Sequence, residues 1–179
     1  MRHNVSIIRI YVCVLTLSTL AAMTIPQHAA AQSAPEAINW DDLLPEGEME
    51  RIEELYQASF ALNQSDHYGM PMTQIGTFNV VEELIGKTIR MPGYILPLDA
   101  QPGGTISEFL LVPYLGACVH TPPPPPNQIV HVVMSEPISV DRVWAPVWVT
   151  GILSSERHSN ELGHAAYTLE LIAHEPYQR

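Results

Sequence analysis

The chain has 179 residues, with 19 acids against 8 lysines and arginines, and a formal net charge of −11. A polymer this acidic repels nucleic acid and anionic lipid surfaces, which excludes a nucleic-acid role. Two cysteines, Cys13 and Cys118, leave little room for a disulfide framework.

Residues 1–31 read as a secretory signal peptide. Arg2 and Arg9 make its basic start, Ile10 to Met23 is mostly apolar, and Ala29 to Ala31 offer a small-residue cleavage site before Gln32. Thr16, Ser18 and Thr19 interrupt the apolar stretch, which is too short for a comfortable membrane span. Cys13 has no lipobox-like context, so a lipid anchor is not expected; an uncleaved amphipathic anchor is the alternative. The mature chain is thus expected in a periplasm and not itself membrane-spanning. Cleavage removes two positive charges and no acid, taking −11 to −13. It also leaves Cys118 alone. A lone thiol in an oxidising compartment needs burial, a metal or a second chain to protect it.

Residues 32–76 divide into a leader, an acidic helix and a linker. Ile38, Trp40, Leu43 and Leu44 are apolar anchors ahead of Pro45. Glu46 to Phe60 predicts a helix, with Glu46, Glu48 and Glu50 early and Met49, Ile52, Leu55 and Tyr56 at helical spacing. The spacing reads as a core-facing stripe with the charged face solvated; a partner-docking arm is the other reading. Asn63 to Gly76 lacks periodicity and carries His67, Met70 and Met72, soft or borderline donors that also suit copper(I).

Residues 77–179 predict a β domain. Strands are expected near Lys87–Leu96, Ser107–Pro113, Gln128–Met134, Val147–Leu153 and Ala166–Ala173, with a helical turn at Val80–Leu84. Gly93 suggests a bulge or bend in the first strand. The expected fold class is mainly β: a small five-stranded OB-like barrel with an N-terminal helix, a β-sandwich being the alternative.

Phe109 to Gln128 is the stretch most loaded with chemistry. The apolar run Phe109 to Val112 suits a strand buried on both faces. Gly116 allows a turn, and Pro122 to Pro126 form a stiff rod without N–H donors. If the chain between them is extended, Cys118 and His120 project to one face. His131 returns just beyond the rod, and the three make a candidate zinc site, copper being second, with Glu108 or Asp99 as a possible carboxylate. The competing readings are a buried apolar Cys118 with a hydrogen-bonded His120, or a redox thiol. His158, His164 and His174 cluster in sequence near the last hairpin as a further, looser cation candidate. The rod reads as a connector whose exposed rib offers a contact surface, and Asn127 and Gln128 as residues that satisfy backbone groups at its end. There is no HExxH, G-x-S-x-G or phosphate-binding glycine loop, and no third group to orient a Cys118–His120 pair, so catalysis is not expected.

Several of these segments together resemble the bacterial DUF3299 family. They are Trp40 to Pro45, Gly86 and Lys87 followed by Gly93 to Leu98, Val112 to Tyr114, Gly116 to His120, Pro122 to Gln128, and Pro146 to Gly151. The resemblance implies an accessory role beside envelope transport components linked to metal uptake. The leading functional expectation is a periplasmic, non-enzymatic protein that handles zinc or copper, with an envelope transporter or membrane protein as partner. The alternative is a metal-free adaptor of a cell-envelope complex that uses the acidic helix and the proline rib as contact surfaces.

Overall fold

The computed structural model describes residues 34–63, 73–99, 101, 103–118, 123–140, 142 and 144–178. The expected signal peptide, His67, Met70, Met72 and His120 lie outside those residues. A two-residue strand β1 (Glu36–Ala37) leads to a short 3-10 turn at Asp41–Leu43 and then to α1 (Glu48–Asn63). A second 3-10 turn at Glu82–Leu84 stands where the sequence predicts a helical turn. The strands that follow are β2 (Thr88–Pro97), β3 (Thr105–Val112), β4 (Val130–Ser139), β5 (Val147–Ser154), β6 (His158–Asn160), β7 (Gly163–Ala165) and β8 (Tyr167–Pro176).

Five of them close into a barrel. The order runs β2-β3-β4-β8-β5, and β5 pairs back onto β2, with β4 and β8 parallel and the other pairs antiparallel. This is the expected OB-like architecture, and all five predicted strands are found within two or three residues at their starts. β1 adds parallel to β2 as a sixth strand, while β6 and β7 make a separate hairpin.

Alternation along β2 places Ile89, Met91 and Ile95 inside, where they meet Phe109, Leu111, Val130, Val132, Val149, Leu153, Tyr167 and Leu169. Toward the end of β3 the intervening residues do not face water either. Leu110 and Val112 join Ala117, Ile129 and Ala165 in a second apolar layer on the outside of the barrel. That double burial explains why β3 reads as an unbroken apolar run rather than an alternating one.

Gly93 answers to packing rather than to a bulge. β2 pairs with β5 up to Gly93 and with β3 from Tyr94 onward, with no register shift at that point. A Cβ on Gly93 would stand 2.6 Å from Leu111 Cγ and 3.0 Å from the Trp40 ring. The register shifts of the barrel lie instead between Ile106 and Glu108 and between Thr150 and Gly151.

Tyr167 ties the N-terminal segment to the barrel. Its ring is fully buried, its hydroxyl donates to the Leu43 carbonyl at 2.8 Å, and it accepts from the Val81 N–H at 2.7 Å. Ile38 and Leu43 are buried beside it, as anchors of the leader.

Candidate functional site

α1 differs from its expected role. Among residues 48–60 only Glu48 and Ile52 are buried, while Met49 is 55% exposed and Leu55 39%. The barrel strands complete their own core, so the helix meets only the barrel exterior, along a narrow line. Of the stripe that predicts a core-facing helix, Ile52 is buried and Tyr56 half-buried, while Met49 and Leu55 are left in solvent.

The line of contact is held by an unusual anchor. Glu48 is 2% exposed, and its carboxylate accepts hydrogen bonds from the Thr77 hydroxyl, from Asn79 Nδ2 at 2.8 Å and from Asn127 Nδ2 at 3.2 Å. Burial pushes its pKa up, but these three donors and Arg51, 3.7 Å away, outweigh it and hold the carboxyl below its ordinary range. Asn127, fully buried, also donates to the Asn79 carbonyl at 3.2 Å, while its Oδ1 has no partner. Gln128 donates to the Trp40 carbonyl at 2.7 Å. The two residues that end the proline run do satisfy backbone groups, as expected from sequence. Asn127 also joins the run to the helix, which the sequence gives no reason to expect.

The proline run is a packed connector. Pro124 and Pro126 are buried, Pro123 and Pro125 partly so, and Gln74 clamps the run by donating to the Pro124 carbonyl at 2.7 Å. One flank stays open. Pro124 and Pro125, with Pro113 and Tyr114 from the segment after β3, form one wall of a groove of about 700 Å³. Leu44 and the Met49, Ile52 and Tyr56 side of α1 form the other, and Glu50, Glu53 and Glu54 line its rim. The Tyr56 hydroxyl is held above its ordinary range by burial and by the neighbouring Tyr114, which places the two tyrosines near each other. Tyr114 is 44% exposed and Leu115 60%. The acidic helix and the proline rib, read from sequence as separate contact surfaces, are thus two walls of one groove.

Cys118 and His131, two of the residues singled out for a metal, are not among those lining this groove. Cys118 is not in an extended chain: it follows a turn, with φ at 65°, so the same-face argument for residues two apart does not hold there. The thiol is half-buried against the outer apolar layer, and burial pushes it up to about 11. His131 is buried on the same side of the sheet, opposite Leu110 in the β3–β4 register. Its Nε2 lies 3.0 Å from Glu108 Oε2, and its ring stacks on His158 with centroids 3.7 Å apart. His158 is held below its ordinary pKa by burial and by His131, against the pull of Glu108. Asn160 Nδ2 donates to His158 Nε2 at 3.1 Å.

The β6–β7 hairpin thereby brings His158 to His131, a pairing across 27 positions that the sequence offers no means to find. Of the other candidates, Asp99 accepts from the Ser107 hydroxyl and N–H, which holds it down at about 2, and His164 bonds Ser159. Among the described residues, no group of three His, Cys, Asp or Glu side chains is arranged to hold a metal ion.

A closed mixed β-barrel with a helix-walled exterior groove defines the class of protein. The family model described as "Protein of unknown function (DUF3299)" matches residues 40–176, and the chain belongs to that family. It is similar to a DUF3299 family protein from Pseudomonas aeruginosa PAO1 of known crystal structure. The two are 35% identical with a TM-score of 0.61, over 82% of this chain and 98% of that one. No curated protein matches the chain.

Proposed function

We propose that the protein is a non-enzymatic binding module of the bacterial cell envelope that holds a segment of a protein partner in the groove between α1 and the proline wall. The observation that carries this reading is the groove itself: an apolar channel of about 700 Å³ in which Met49 of the helix and Tyr114 of the facing wall stay exposed. Exposed apolar surface gathered into one concave strip is the usual mark of an interaction site. The groove is lined by carboxylates, tyrosines, prolines and aliphatic side chains, with no nucleophile–base pair, which suits binding rather than turnover. A periplasmic address fits the signal-like residues 1–31.

Capture from envelope extracts in the presence of chelator tests it, with wild type beside a Met49→Asp, Tyr114→Ala variant. The reading requires a partner that is lost in the variant and that binds the wild type again once purified. A partner retained equally by both proteins sinks it.

A second reading keeps a transition metal, zinc first and copper second, on Cys118, His120 and His131, as an accessory to envelope transport. It is favoured by Cys118 and His131 lying on the same outer side of the barrel. Against it, the thiol would have to lose a proton from a pKa of about 11, and a metal on His131 Nε2 would displace Glu108. Elemental analysis of protein purified without chelator decides: about one metal per chain, lost in Cys118→Ala, supports the site. A metal-free protein that takes up no added zinc removes it.

A further inference from the structure

The charge on the groove narrows what can occupy it, if the groove is the docking site proposed above. Its lining residues include three glutamates, Glu50, Glu53 and Glu54, and no lysine, arginine or histidine. All three are exposed, and Glu53 accepts a hydrogen bond from Gln57 at 2.7 Å. The one arginine of α1, Arg51, lies 3.7 Å from Glu48 at the helix foot and does not line the groove. An apolar floor under an acidic rim attracts a ligand with the reverse arrangement.

We infer that the occupant is a basic, amphipathic segment of a partner protein, with lysines or arginines against Glu50, Glu53 and Glu54 and an apolar or aromatic side chain between Tyr56, Tyr114 and the proline wall. A second copy of the chain is a poor candidate, since its net charge of −11 repels the same rim. An anionic membrane surface is repelled for the same reason. Tyrosine and proline have few rotatable bonds, so ordering them against an aromatic anchor costs little freedom.

The test uses the purified protein and three synthetic peptides that share one set of Leu and Trp positions and carry Lys, Gln or Glu at every other position. Binding is read by fluorescence anisotropy at low and high salt, for wild type, for Glu50→Gln, Glu53→Gln, Glu54→Gln combined, and for Tyr56→Ala, Tyr114→Ala combined. The expected order is Lys over Gln over Glu, with the Lys preference shrinking at high salt. The triple glutamine variant should lose about tenfold for the Lys peptide and little for the Gln peptide. The tyrosine variant should weaken both.

Each other result has a distinct meaning. If all three peptides bind equally and only the tyrosine variant weakens them, the groove reading stands and the charge inference fails. If the Lys peptide binds the tyrosine variant as well as wild type, its attraction is to the acidic chain at large, and the inference fails. If no peptide's binding depends on the groove residues, the docking reading itself fails. Self-association that excludes the Lys peptide would assign the groove to a second copy and overturn the inference.

Discussion

Glu48→Ala should loosen α1 from the barrel without unfolding the barrel. The helix is 16 residues long, a length at which an isolated helix is marginal in water. Its hold on the body comes chiefly from Ile52 and from the Glu48 carboxylate with its three donors. A hydrogen bond to a charged group contributes about 1.5–3 kcal/mol, but Asn79 is exposed and can turn to water once the carboxylate is gone. Asn127 cannot, being fully buried and left with the Asn79 carbonyl alone. With that discount the loss is about 2–3 kcal/mol, concentrated on the helix.

Amide hydrogen exchange reads this directly. The α1 amides should exchange about 30- to 150-fold faster in the variant, while those of β3, β4 and β8 change by much less. Acid should act in the same direction on the wild type. Because the folded pKa of Glu48 lies below its ordinary 4.5, the anchor is at full strength above that value and is lost as pH falls through the folded one. Equal acceleration across helix and barrel would refute the reasoning, because it would make Glu48 part of the global fold. So would an unchanged α1.

Three further outcomes are expected. Gly93→Ala should destabilise the barrel by about 1–3 kcal/mol in urea unfolding, since its Cβ would press into Leu111 and Trp40; a neutral result would mean both can yield. Thermal stability should decline as pH falls below 6.5, because His158 is held below that value in the fold and the unfolded chain takes up the proton first. His158→Gln should flatten this slope, and an unaltered profile would assign the effect elsewhere. Finally, with its thiol pushed up from 9.0 to about 11, Cys118 should alkylate about tenfold more slowly than an unhindered thiol near neutral pH, since the smaller thiolate fraction is partly offset by its greater nucleophilicity, and a rate matching free cysteine would contradict its burial.

The barrel was legible because its signals are local. Period-two alternation in β2, the unbroken apolar run of β3 and turn residues between strands mark each element without reference to its neighbours. What pairs with what is not local. Nothing in His131 points to His158, because the β6–β7 hairpin that brings them together is two strands of three residues each. The stripe on α1 misleads for a different reason. Periodicity reports that one face is apolar, and cannot say whether the protein's own core or something else covers it. Cys118 misleads through backbone geometry: spacing two apart puts side chains on one face only in an extended chain, and Cys118 adopts a positive φ. Gly93 shows the converse, a glycine required by what crosses over it rather than by its own backbone.

The place of β8 in the barrel has a consequence for how the molecule is made. β8 follows the other four barrel strands along the chain, yet it sits between β4 and β5 and pairs with both. Before it arrives, β4 and β5 each present an open edge, and no local hairpin can substitute for it. The barrel therefore closes only after residues 167–176 are in hand, and the β4–β8 pairing that closes it joins residues 37 apart, a correspondingly slow contact. Until then the chain carries two unpaired strand edges, the kind of surface that favours aggregation of incomplete chains.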